Sequence, residues 1–268
     1  MGRVAIGVEY DGAAYHGWQR QPHCNSVQET LQAALGRIAN EPVELTCAGR
    51  TDAGVHARAQ VAHFDSSAQR SARGWLFGVN SLLPPSINLR WVQPVTDQFH
   101  ARYAARRRSY RYLVLNRATR SALAAGRALV VYPRLDATLM QTAAEALIGE
   151  HDFSAFRAAE CQARSPVRTI ETLSVLRRGD WISIEVTANA FLQHMVRNIV
   201  GTLLAVGKGE AGTQRTREQL ESRQRSTGEA TAAAHGLYFW RVDYPSEFGV
   251  PDDSGMIDFY PATEVHAP

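Results

Sequence analysis

Val4-Ala5-Ile6-Gly7-Val8-Glu9-Tyr10 reads as a β-strand, and the Asp11-Gly12 pair after it closes the strand as a turn. Ser26-x-x-Glu29 then has the form of a capping box, followed by Val27, Leu31, Ala34, Leu35 and Ile38 at helical spacing. A strand followed by a capped amphipathic helix sets the theme for the rest of the chain. Pro42 to Cys47 predicts a second strand and Gln60 to Phe64 a third, while residues 73 to 80 fit helix or strand equally and stop at Leu83-Pro84-Pro85. Further on, Ser109 to Leu115 predicts a strand, Asp136 to Ile148 a helix, and Thr169 to Val186 a hairpin around Arg178-Gly179-Asp180. Phe191 to Val206 predicts a long helix, residues near Arg215 to Ser222 a short one, and Gly236 to Tyr244 a closing strand. The expected fold class is therefore α+β: two lobes, 1–105 and 106–245, with mixed, largely antiparallel sheet, helices on one face and a basic cleft between them. Residues 246–268 form an acidic tail.

The composition excludes several classes. The 268 residues are 45% apolar and 21% charged, as in an ordinary folded protein. No run reaches the roughly 18 to 20 apolar residues of a membrane helix, and the immediate strand at the N-terminus leaves no room for a signal peptide's apolar core. Three cysteines without a C-x-x-C pair argue against a disulfide framework or a cysteine zinc site, and suit a reducing cytoplasm. Of 29 basic residues only Lys208 is lysine, and it is followed by Gly209, so a Walker A loop fails.

The arginines are unevenly placed. Gln98 to Leu135 holds nine of them and no Asp or Glu, whereas six acids and no Lys or Arg follow Arg241. Arginine suits phosphate because its planar fork donates two parallel hydrogen bonds. Tyr103, Tyr110 and Tyr112 lie among these arginines, a pattern that favours unpaired bases over an acidic protein. A bias in the gene's base composition and a plain solvated surface remain open alternatives.

Asp52 is the most suggestive acid. It lies in Gly49-Arg50-Thr51-Asp52-Ala53-Gly54-Val55-His56, a polar loop bracketed by glycines between apolar strands. Arg50 could hold its carboxylate ionised as a nucleophile or base, or Asp52 could simply cap the next turn. His56 and His63 have no carboxylate at zinc spacing, so a metal site is not expected, although Asp52, His56 and His63 could superficially suggest a metal-dependent nuclease. His194 reads as a partly buried, hydrogen-bonded histidine; Arg197, on the same expected helix, could point into a cleft. Tyr110 and Tyr112 share one strand face, as core or as a stacking platform.

Together these motifs resemble the tRNA pseudouridine synthase I family. The matching segments are Val8 to Gly12, Gly17 to Gln21, Cys47 to Ala57, Asn80 to Pro85, Phe99 to Arg102, Tyr110 to Tyr112, Phe191 to Gly201, Gly236 to Tyr238 and Val242 to Pro245. The resemblance implies isomerisation of uridine to pseudouridine at positions 38, 39 and 40 of the tRNA anticodon stem-loop, by a cytoplasmic homodimer with neither metal nor organic cofactor. It makes Asp52 the essential aspartate, Arg50 the arginine paired with it, Tyr110 the tyrosine against the target base, Arg197 a second active-site arginine and Leu237 an apolar wall of the uracil pocket. Arg102, Arg106, Arg107, Arg108 and Arg111 would then meet the RNA backbone. A tRNA-binding protein without catalysis is the alternative on the same scaffold. Two features depart from the family: Ala232-Ala233-Ala234-His235, where a proline-bearing stretch is usual, and the acidic tail.

Overall fold

The structure is a computed structural model and is described here for residues 2–225 and 228–251. Ten strands form one sheet: β1 (Gly2–Tyr10), β2 (Thr46–Cys47), β3 (His56–Ser66), β4 (Ile87–Val95), β5 (Arg107–Asn116), β6 (Leu129–Val131), β7 (Gly149–Asp152), β8 (Val167–Arg178), β9 (Trp181–Ala188) and β10 (Leu237–Asp243). Five α-helices accompany them: α1 (Val27–Ala39), α2 (Ala72–Asn80), α3 (Ala137–Glu145), α4 (Met195–Gly207) and α5 (Arg215–Ser222). The main strand order is β4-β1-β3-β10-β5-β9-β8-β7, with β2 beside β3 and β6 beside β5. All pairings are antiparallel except β3 with β10 and β5 with β6. The class is α+β, as the pattern of elements leads one to expect.

The parallel β3–β10 pairing matters most for function. It sets Tyr238 beside His56 and Phe239 beside Ala57, so a strand from the chain's end lies between β3 and β5. The sheet thereby runs unbroken across the boundary expected near residue 105, and the two halves meet at the mouth of the Gly49–Val55 loop.

Local chemistry explains the elements that matched. The Ser26 hydroxyl accepts from the Glu29 N–H at 3.2 Å, and Asn40 ends α1 in the left-handed region. Asp136 caps α3 by accepting from the Thr138 and Leu139 amides. Gly179, at φ 57, makes the tight turn between β8 and β9.

Two segments differ from expectation, and a third, which fitted helix or strand equally, takes one of the two. Between Pro42 and Cys47 only Thr46 and Cys47 join the sheet, because side chains of α1 take the backbone groups instead: Gln28 donates to the Leu45 carbonyl and Gln32 accepts from its N–H. Residues 73 to 80 resolve to helix, with Ser71 as cap. The helix expected from Phe191 begins only at Met195, since His194 adopts a left-handed conformation that no helix can continue through. Strands β4, β6 and β7 lie outside the expected elements, although Ile87, Leu89 and Trp91 alternate with polar residues in β4. Of the acidic tail, residues 252–268 lie outside the described residues, while Phe248 packs edge-on against Phe99.

Candidate active site

The Asp52 loop is held by the last residue of β1 and the segment after it. The Tyr10 hydroxyl lies 2.7 Å from Thr51 Oγ1, the Trp18 amide donates to the Thr51 carbonyl, and the Gly54 amide donates to the Tyr15 carbonyl. Gly17, at φ +89, passes so close that a Cβ there would sit 2.6 Å from the Thr51 carbonyl oxygen. Gln60 grips the loop's other end through the Gly49 carbonyl at 2.7 Å. With Thr51 turned inward and buried, Asp52 faces outward with its side chain 30% exposed. A carboxylate so placed is aimed by backbone it cannot move.

Its charge partners come from the other half of the chain. Arg197 Nη1 stands 3.2 Å and His194 Nε2 3.3 Å from Asp52, both at Oδ2. Arg197 is held in turn, its Nε donating to the Ala232 carbonyl at 2.7 Å while its own carbonyl accepts from the Ala232 amide. The Ala232–His235 stretch thus braces Arg197. Arg50 does not pair with Asp52, contrary to expectation: it is exposed, and the carboxylate turns instead toward the start of α4. His194 is the residue that sequence reading undervalued. Its only local signal is its position three residues before Arg197.

Tyr110 and Leu237 lie on adjoining strands, β5 and β10. Tyr110 is buried, edge-on to Phe191 at 4.9 Å and to Phe239 at 5.0 Å. Burial, then Tyr10 and Asp52 nearby, push its phenol well up, so it stays neutral. Leu237 is buried opposite Tyr112. Tyr112 itself is core, fully buried and donating to the Ala233 carbonyl at 2.8 Å, so the two tyrosines of that face have different surroundings.

The five arginines expected on RNA separate into two groups. Arg102 and Arg106 are exposed, and Arg107 is exposed but paired with Glu171 and Asp243. Arg108 and Arg111 are corrections, being only 9% and 6% exposed. Arg108 lies on the Tyr110 side of β5 and donates to the carbonyls of Ala48, Arg102, Ala105 and Asn189. Arg111 lies on the other side, paired with Glu185 and 3.6 Å from the Trp240 ring centroid. Buried guanidinium groups engaged in this way are not available to a phosphate. Beside the exposed pair, Tyr103 is 77% exposed and stacks on His100 at 4.4 Å.

The histidines that might suggest a metal have structural work. His56 accepts from the Gly12 amide, meets the Gly126 carbonyl and stacks on Tyr238. His63 accepts from the Ala101 amide, and burial pushes its imidazole down to about 4. Among the described residues, no group of three or more His, Cys, Asp or Glu could hold a metal. No described helix is long and apolar enough to cross a membrane.

Fold and site define an α+β protein built around one arginine-held carboxylate, at the join of its two halves and on the same molecule as an exposed basic rim. The family described as tRNA pseudouridine synthase matches residues 6–104 and 143–245. The chain belongs to that family. It is 52% identical over 249 residues to the tRNA pseudouridine synthase A of Nitrosococcus oceani, covering 93% of this chain and 96% of that one. The proteins of the same name from Pseudoalteromonas atlantica and Vibrio cholerae are 51% and 48% identical, each covering 93% of this chain and 95% of the relative.

Proposed function

We propose that the protein isomerises uridine to pseudouridine at positions 38, 39 and 40 of the tRNA anticodon stem-loop, with Asp52 as the essential residue. The observation that carries this reading is the Asp52 carboxylate, fixed on a rigid loop and held by Arg197 from the opposite half of the chain. The reaction breaks the N–C glycosidic bond and rejoins the uracil through carbon. It needs one ionised oxygen that reaches an extruded nucleoside, either to attack it or to take a proton from its sugar. Arg197 sets a guanidinium charge 3.2 Å from that carboxylate.

Extruding the uridine costs a few kcal/mol, least where pairing is weak. Tyr110 supplies a face for the freed base and Leu237 a dry wall. Arg50, exposed on the same loop as Asp52, is placed to meet the substrate rather than the carboxylate. Arg102 and Arg106 contact phosphates and position the stem-loop without reading its sequence. The protein acts in the cytoplasm as a homodimer whose two lobes, 1–105 and 106–245, form the cleft, and it uses neither metal nor organic cofactor.

The test is mass mapping of pseudouridine in a tRNA pool incubated with Asp52→Ala. Pseudouridine at positions 38 to 40 disappears while tRNA still binds. Retained turnover refutes the assignment, and loss of turnover on adding a chelator revives the metal-dependent reading.

A further inference from the structure

His194 occupies an unusual place for its residue type. It is the N-cap of α4, a position that ordinarily has extended backbone and a Ser, Thr, Asp or Asn side chain accepting from the first turn. Instead it sits at φ 62 and ψ 0, and its side chain caps nothing. Among the described residues three other non-glycines have positive φ, and two of them, Asn40 and Arg223, end helices, where this conformation is ordinary. A β-carbon in this region costs on the order of tenfold or more in local equilibrium. Such strain persists where the surroundings over-determine it, and it concentrates at functional sites.

What His194 does with that conformation is reach Asp52. Its Nε2 approaches Oδ2, the same oxygen that Arg197 approaches. Arg197 alone would be a weak restraint: its Nε is taken by the Ala232 carbonyl, so it meets the carboxylate through one nitrogen rather than as a fork. A single contact leaves the carboxylate free to turn about its Cβ–Cγ bond. A second side chain against the same oxygen, His194 with Nε2 at 3.3 Å, narrows that freedom.

We propose that His194 is a positioning residue for Asp52: with Arg197 it holds Oδ2, so that Oδ1 is the oxygen presented to the uridine. The proposal rests on the reading of Asp52 as the essential residue. It explains why a histidine, and not a conventional cap, begins the helix that carries Arg197.

The experiment compares His194→Gly and His194→Asn with the parent protein and with Asp52→Ala. Glycine and asparagine both accept the left-handed backbone, so neither variant disturbs the start of α4. For His194→Gly, kcat falls about 10- to 100-fold, the penalty of a slightly misplaced reacting group. The KM for tRNA stays within about twofold, the mark of a group that acts in the transition state rather than in binding. The thermal midpoint does not fall, and added imidazole restores part of kcat. Three results overturn the proposal: an unchanged kcat, equal losses in kcat and tRNA affinity, or a loss that imidazole leaves in place. Turnover by Asp52→Ala would sink the underlying reading instead, whereas an inert Asp52→Ala beside a full-rate His194→Gly sinks only the positioning role.

Discussion

In the loop of residues 49–55 a single carboxylate stays partly open to solvent and is approached by two side chains from the far half of the chain. In the run of residues 102–111 five arginines lie within ten positions, and β5, covered on both faces beyond Arg107, encloses two of them. Arg107 and Arg108 are neighbours, yet one faces solvent and two acids while the other ties four backbone carbonyls together. The contrast teaches that charge density along a sequence overstates the charge a partner can meet. It also shows the buried arginine serving the loop: Arg108 holds the Ala48 carbonyl, next to Gly49, so the basic run anchors the segment that aims Asp52.

The contrast breaks most visibly at Arg108. Arg108→Ala removes the donors to several enclosed carbonyls, and each unsatisfied group costs about 1–3 kcal/mol. Urea unfolding should show a loss of about 3 kcal/mol or more. If the variant instead keeps its stability and loses salt-dependent tRNA binding, Arg108 belongs with the exposed group.

On the loop side the matching probe is Gly17. Alanine there meets a positive φ as well as the Thr51 carbonyl at 2.6 Å, whereas Gly126, at φ +71, has open space around it. Gly126→Ala carries only the backbone cost of about 1 kcal/mol, and Gly17→Ala adds an overpacking penalty of about 1–3 kcal/mol. The difference in thermal unfolding between the two variants isolates the contact. Turnover should fall only in Gly17→Ala, because only that change pushes on the backbone of Asp52.

This division also marks what the sequence could disclose. The first strand, the Ser26 cap and the Gly179 turn are local events, set by residues within a few positions of one another, and all were legible. The loop around Asp52 was legible as a site because its glycines and its lone acid stand together. Its true partner was not: Arg50 is two residues away, while Arg197 is 145 residues distant and arrives only because β10 inserts beside β3. The same long-range contact accounts for the misplaced start of α4, since nothing near His194 announces a left-handed histidine. For Pro42 to Cys47, apolar alternation predicted a strand, but Gln28 and Gln32 reach from α1 and claim the backbone groups first.

The interior beneath the basic run yields a pH prediction. His63 accepts from the Ala101 amide, and its imidazole is held down to about 4 by burial first, then by His100 and Arg3. In the unfolded chain it titrates near 6.5, so between the two values the unfolded state binds the extra proton. Stability from this group is therefore complete above about pH 6.5 and disappears as pH falls through about 4, a loss of about 2 kcal/mol after allowance for solvent screening. Unfolding free energies measured across that window should slope downward toward acid, and His63→Gln should flatten the slope.

The smallest stability effects, and the sharpest test of the division, come from the exposed members. Arg102→Gln and Arg106→Gln should each leave stability within about 0.5 kcal/mol, as surface substitutions usually do. Each should nonetheless weaken tRNA binding and lower the magnitude of the log-affinity against log-salt slope by about one, because one phosphate contact is lost. Arg107→Gln should change the slope less, since Glu171 and Asp243 already neutralise it. Tyr103→Ala separates stacking from charge on the same rim: removing an aromatic face costs about 1–3 kcal/mol per stacked base while leaving the salt slope alone. A slope that drops with Tyr103→Ala, or holds through Arg106→Gln, would mean that the RNA follows a different path across the protein.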